Sequence, residues 1–150
     1  MKRVFLLLCM VSVSLTSVWA QSDDAEKEAI KEVIQNSYVD GLQNNGDVDI
    51  IREGFHPGFN LLGVRQNALT KYPIYSWLES FQERKFANPN PPTDEQKVTS
   101  KYLLIDITGN AAMAKIELWR NDVRLFTDYL QLYKFEEGWR IVSKIYHRHE

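Results

Sequence analysis

KVTSKYLLIDIT (97–108), AAMAKIELWR (111–120), VRLFTDYLQLYKF (123–135) and WRIVSKIYHR (139–148) fill roughly the last third of the chain. All four are rich in β-branched and aromatic residues and read at a period of two, the pattern of strands. Thr108-Gly109-Asn110, Asn121-Asp122 and Glu137-Gly138 separate them at hairpin lengths. The segments therefore predict an antiparallel meander. Strands this long exceed the usual length, so the sheet is expected to curl around whatever covers its inner face.

What covers it lies upstream. From Asp24 to about Gln43, Ala29, Ile30, Val33, Ile34, Ser37, Tyr38 and Leu42 fall on one helical stripe. Ser22, Asp23 and Asp24 supply capping oxygens at its start, and Asn44-Asn45-Gly46 ends it. Asp47 or Asp49 can cap a short second helix, Val48 to Glu53, stopped by Gly54. Pro57-Gly58 marks a turn, Asn60 to Val64 a short strand, and Arg65-Gln66-Asn67 a hairpin tip before Ala68 to Tyr72. Pro73 opens a third helix with Ile74, Trp77, Leu78 and Phe81 on its apolar face. Ala87 to Pro92, with three prolines, can only be an extended linker. Helices followed by a long meander make an α+β domain. A curled sheet closed by helices leaves a concave space at one end, a usual place for a small-molecule site.

The first twenty residues stand apart. Lys2 and Arg3 precede an apolar run from Val4 to Leu15, and Val18-Trp19-Ala20 places small residues before a cut after Ala20. That is the layout of a secretory signal peptide, and the run is short for a membrane span. The expected organisation is a cleaved segment 1–20 and one domain over 21–150, periplasmic or secreted, with no membrane anchor after cleavage. Cleavage removes Cys9, the single cysteine, which excludes thiolate catalysis in the mature chain. With 18 Lys+Arg against 20 Asp+Glu and no basic run, nothing in the charge pattern fits nucleic acid. A 44% hydrophobic content excludes a disordered chain and supports one real core.

The order helix, short helix, hairpin, helix and four-strand meander resembles the nuclear transport factor 2-like superfamily. More narrowly it resembles the putative lumazine-binding (SnoaL-like) group of secreted bacterial proteins. Phe55-His56-Pro57, Thr127-Asp128-Tyr129-Leu130-Gln131-Leu132 and Glu137-Gly138-Trp139-Arg140-Ile141-Val142-Ser143-Lys144 carry the likeness, which covers essentially Asp24 to His149. The resemblance implies a cone-shaped antiparallel sheet packed on three N-terminal helices, a cystatin-like roll. It also implies a pocket inside the cone and, often, a homodimer packed sheet to sheet. It implies no reaction, because relatives include isomerases, dehydratases, cyclases and binding domains.

Among the residues, His56 stands where the chain enters the cone. It can act as a general base or hydrogen-bond a carbonyl, or it can fix the turn through backbone hydrogen bonds. Asp128 shares strand parity with Phe126, Leu130 and Leu132, and a carboxylate on that apolar face needs a partner. A two-residue turn at Glu137-Gly138 sets Asp128 opposite His147, a pair suited to proton transfer; a one-residue bulge sets it opposite Tyr146. A structural ion pair with Lys144 is the plainer alternative. His147 and His149 share one face, yet lack a third ligand, so no metal is expected. Candidate ligand contacts are His56, Phe59, Tyr75, Trp77, Tyr102, Trp119, Asp128 and Tyr129, with packing as the competing role for the aromatics. Trp139 reads as a core plug.

No Gly-rich phosphate loop, nucleophile elbow, zinc helix motif or EF-hand loop is present, and no cofactor is expected. Three functions remain: a domain binding a small, partly aromatic molecule; a dimeric scaffold without ligand; and an acid–base isomerase or dehydratase using Asp128 with His56 or His147. Binding ranks first.

Overall fold

The computed structural model describes residues 23–150. The expected export segment and its cut after Ala20 lie outside the described residues. Helix α1 runs over residues 23–43 and winds with the wider i→i+5 pattern over Ile34–Gln43. That winding sets Val39 beneath Ile34 and buries it beside Ile30, Tyr38 and Leu42, although Val39 falls outside the stripe expected for a regular helix. Asn45, at φ 62°, turns the chain, and the Gly46 amide donates to the Gly41 carbonyl at 2.8 Å. Helix α2 (Val48–Gly54) is capped by Asp47, whose carboxylate accepts from the Asp49 amide at 2.7 Å. α2 lies so close to α1 that a Cβ on Gly54 would stand 2.1 Å from Ser37 Oγ.

Strand β1 (Phe55–Arg65) is longer than the sequence suggests and already begins before Pro57. The Pro57-Gly58 turn is instead an irregularity inside the strand, where the register shifts between Phe55 and Asn60. Gln66 and Asn67 both take positive φ, the two-residue hairpin geometry, and lead into β2 (Ala68–Pro73). Helix α3 (Ile74–Ala87) follows with Pro73 at its N-cap. The meander is then β3 (Val98–Thr108), β4 (Ala111–Arg120), β5 (Val123–Phe135) and β6 (Gly138–Arg148).

The six strands form one sheet in the order β2-β1-β6-β5-β4-β3. All neighbours are antiparallel except β1 and β6, which run parallel. The meander is thus antiparallel as expected, and its last strand receives β1 at its side. The sheet curls without closing, and the helices lie against its concave face. Ile30, Ile34, Tyr38, Phe55, Phe59, Phe81, Ala114, Ile116, Leu118, Leu130, Leu132, Trp139 and Ile141 make one continuous core there. Among the described residues no helix is long and apolar enough to cross a membrane.

The last hairpin turns at Glu136-Glu137, one residue earlier than the sequence reading, with Gly138 at φ 113°. Pairing runs Phe135–Gly138 to Leu132–Ile141, then shifts, and Gln131 faces Ser143. Val142 is the extra residue of a β-bulge. The bulge exchanges the two faces of β6. Trp139 and Ile141 point inward before it, and Lys144, Tyr146 and Arg148 point inward after it. Asp128 consequently faces Tyr146, and His147 stands opposite Thr127, so the proton-transfer pair Asp128–His147 does not form.

Candidate functional site

Tyr38 from α1, Asp128 from β5 and Lys144 from β6 meet inside the cone. Asp128 and Tyr38 are fully buried and Lys144 is 5% exposed. The Tyr38 hydroxyl donates to Asp128 Oδ2 at 2.6 Å, Lys144 Nζ donates to the same oxygen at 2.9 Å, and Lys144 also donates to the Tyr38 hydroxyl. Asp128 Oδ1 is buried without a partner among the described residues. Aromatic rings surround the ammonium: Tyr38 at 4.6 Å, Tyr146 at 5.2 Å, Trp77 at 5.7 Å and Phe126 at 5.9 Å from Nζ to ring centre.

Burial shapes the electrostatics of this cluster. Removal from water pushes the Lys144 ammonium below the ordinary lysine range, and the Asp128 charge opposes that shift without cancelling it. The Tyr38 hydroxyl is pushed well above its usual range, first by burial and then by the Asp128 charge, and so stays protonated. A buried triad of this kind is no source of stability in itself, because desolvation offsets the Coulomb attraction.

The cluster forms the floor of a cavity of about 250 Å³ lined by Tyr38, Gln43, Leu61, Trp77, Phe126, Lys144, Tyr146 and Arg148. Two cations and no carboxylate line it; Asp128 lies one layer beneath, bonded to Lys144 and Tyr38. A wider groove of about 410 Å³ lies outside the cone, between α1, α2 and the β5–β6 turn, with Glu26, Glu32, Glu53 and Glu137 along it. Its carboxylate Glu26 is already committed to Lys134 at 2.6 Å and to the Trp139 indole at 2.7 Å. Buried, convergent polar groups distinguish the smaller space, and the site is placed there.

The other sequence candidates are dispersed. His56 takes the turn-fixing position: its Nδ1 accepts from the Gly58 amide at 3.0 Å and its ring stacks on Phe135 at 4.8 Å. Phe59 is core, packed on Phe55 at 4.9 Å. Tyr75 is 68% exposed on α3. The Tyr102 hydroxyl donates to the Lys31 carbonyl at 3.1 Å, and burial pushes its pKa to about 12. Trp119 and Tyr129 lie on the outer sheet face. Lys101 sits 3.9 Å over the Trp119 ring, and the Trp119 indole donates to Glu117, itself paired with Arg124 at 2.6 Å. His147 and His149 touch edge to face at 4.8 Å on that outer face, where His149 Nε2 lies 2.9 Å from Thr127 Oγ1. No group of three or more His, Cys, Asp or Glu side chains among the described residues could hold a metal ion.

Of the ligand contacts named from sequence, Trp77 alone lines the cavity, with Asp128 beneath its floor. Tyr38, Gln43 and Arg148 were missed, and Tyr146 was named as the residue that a bulge sets opposite Asp128, where it stands. A tyrosine inside an otherwise apolar helical stripe was the available signal for Tyr38, since its buried hydroxyl demands a partner. No signal marked Lys144, Tyr146 and Arg148 as a set, because the bulge at Val142 decides which way they point.

The sequence profile of the family described as Putative lumazine-binding matches residues 25–147. An NTF2-like protein of unknown function from Shewanella baltica is 34% identical, with a TM-score of 0.65 over 84% of this chain and 95% of its own. A second NTF2-like protein, from Methylobacillus flagellatus, is 26% identical, with a TM-score of 0.60 over 85% of this chain and 94% of its own. The aldolase FrzH of a Cladobotryum species is 27% identical over 111 residues, 73% of this chain and 82% of that protein. The chain belongs to the putative lumazine-binding family of the nuclear transport factor 2-like superfamily.

Proposed function

We propose that the cone binds a small planar molecule carrying an anionic or carbonyl oxygen. The observation behind this reading is the cavity's charge: Lys144 and Arg148 line it, aromatic rings form its walls, and no carboxylate reaches it. Stacking on Trp77 or Tyr146 holds a flat ring, and the Lys144 ammonium with the Arg148 guanidinium meets its oxygen. An open space of this size supports a ligand more than a scaffold whose interior is filled. Export, read from residues 1–20, would place this binding in the periplasm or medium. A homodimer would use the outer sheet face, where Tyr133 and Ile145 are exposed.

Acid–base catalysis on the bound molecule is the second reading, favoured by two observations. The buried Tyr38–Asp128–Lys144 cluster can both take up and donate protons, and one relative carries the name aldolase. The acid–base pairs expected from sequence, Asp128 with His56 or His147, do not form: His56 holds the β1 irregularity and His147 is outside the cone.

Native mass spectrometry on protein purified from its own periplasm or medium tests the binding reading. A retained small molecule, lost in Lys144→Met and Arg148→Ala, is expected. An empty dimer, together with no binding of lumazine (a flat heteroaromatic dione) in equilibrium dialysis, would reject it in favour of the scaffold.

A further inference from the structure

We propose that Lys144 is a nucleophilic amine that condenses with an aldehyde or ketone group of the molecule held in the cone to form a reversible imine. This rests on the reading of the cone as a ligand site and gives it a substrate class: small aromatic carbonyl compounds.

Lys144 is the one buried lysine among the described residues. Its Nζ makes two hydrogen bonds, to Asp128 and Tyr38, while the side chain lines the cavity. A buried lysine beside a proton acceptor can supply the neutral amine that attack on a carbonyl requires. Burial displaces Lys144 in that direction.

The three groups also balance the reaction. The ammonium passes one proton to the Asp128 carboxylate, and the free amine adds to the carbonyl carbon. A C–N bond forms and the carbonyl π pair moves to oxygen. The Tyr38 hydroxyl gives that oxygen a proton and recovers one from the nitrogen, which leaves a neutral carbinolamine. Asp128 returns its proton to the carbinolamine hydroxyl, the C–O bond breaks, and water departs. The product is a protonated imine beside an ionised Asp128, so the buried site holds one positive and one negative charge before and after. The four rings around Nζ serve the iminium cation as they serve the ammonium. No oxidant, reductant or metal is consumed.

The test is reductive trapping on the full chain with 4-hydroxybenzaldehyde and sodium cyanoborohydride, read by intact mass and peptide mapping. The expected result is one adduct on Lys144, formed at least about tenfold faster than at any exposed lysine. Asp128→Asn should slow its formation by roughly a hundredfold, the low end for a positioned proton acceptor. Lys144→Arg should abolish it while circular dichroism stays native. The wild-type map decides the question even if a variant fails to fold. Adducts on exposed lysines with Lys144 unlabelled would overturn the inference. If the aldehyde nevertheless binds in equilibrium dialysis without reductant, the cone remains a binding site and only the imine is rejected. If it neither binds nor labels Lys144, and lumazine and native extracts leave the cone empty as well, both readings fall together.

Discussion

The two ends of the β5–β6 pair are built from the same strands and do opposite things. Near the turn, Leu132, Trp139 and Ile141 are buried in the core, and the one side-chain polar atom of the group, the Trp139 indole nitrogen, donates to Glu26 at the edge of the outer groove. Beyond Val142 the same strands present Lys144, Tyr146 and Arg148 to a hollow, with Asp128 buried beneath its floor. One extra residue separates the two ends. Because side chains alternate with a period of two, it exchanges the faces of everything after it. A packed apolar core and a polar-floored cavity therefore coexist on one hairpin.

Deleting Val142 alone would leave every later pairing in place, whereas deleting Val142 and Ser143 together should break this comparison outright. Lys144 and Arg148 would turn outward while Ile145 and His147 turned in, and Asp128 would lose its partner. We expect no soluble folded protein, because the cost exceeds what a domain with about 5–15 kcal/mol of stability tolerates. A cooperative urea transition near that of the parent would show that the register of β6 does not set the site.

At the turn end, Trp139→Ala should cost about 3–5 kcal/mol by urea unfolding, as truncation of a packed core aromatic. A loss below about 1 kcal/mol would mean that this ring is no plug. At the open end, Lys144→Met leaves the Asp128 charge uncompensated and should cost about 3 kcal/mol. The double variant Asp128→Leu/Lys144→Met should recover most of that, since removing both charges spares their desolvation. If the double variant is as unstable as the single, the cluster is a stabilising device and the contrast between the ends disappears.

Tyr38→Phe removes a hydroxyl that donates to a charged oxygen and should cost about 1.5–2 kcal/mol, with the aromatic packing on Trp77 retained. The smallest effect belongs to Glu26. Hydrogen bonds from Lys134, and next from Trp139, hold its carboxyl below the ordinary value of 4.5. As pH falls, the unfolded chain takes up this proton first. The contribution is therefore complete above about 4.5 and is lost as pH falls through the lower folded value. Glu26→Gln should cost less than about 1 kcal/mol at neutral pH, as suits a partly exposed pair, and flatten the acid limb of the urea-midpoint profile. An unchanged acid limb would remove Glu26 from the support of the plug.

Local patterns determined most of the architecture. The apolar stripe of α1, the capping Asp47, Pro73 ahead of α3 and the period-two segments separated by short turns are all contacts with near neighbours in the chain, and they are legible there. The family resemblance rests on the same features. Asp128 was legible as a carboxylate in need of a partner for the same reason: Phe126, Leu130 and Leu132 flank it on one parity.

The site was decided elsewhere. Whether Asp128 would meet His147, Tyr146 or Lys144 depended on where the last hairpin turned and on one bulge. Both are set by how β6 fits between β5 and β1, and β1 arrives from some eighty residues away. Tyr38 reaches the cluster from farther still, across 90 residues of chain. A pattern of residue types records which side chains prefer burial. It does not record which of them share a cavity, because that follows from register and long-range packing, and a single inserted residue reverses it.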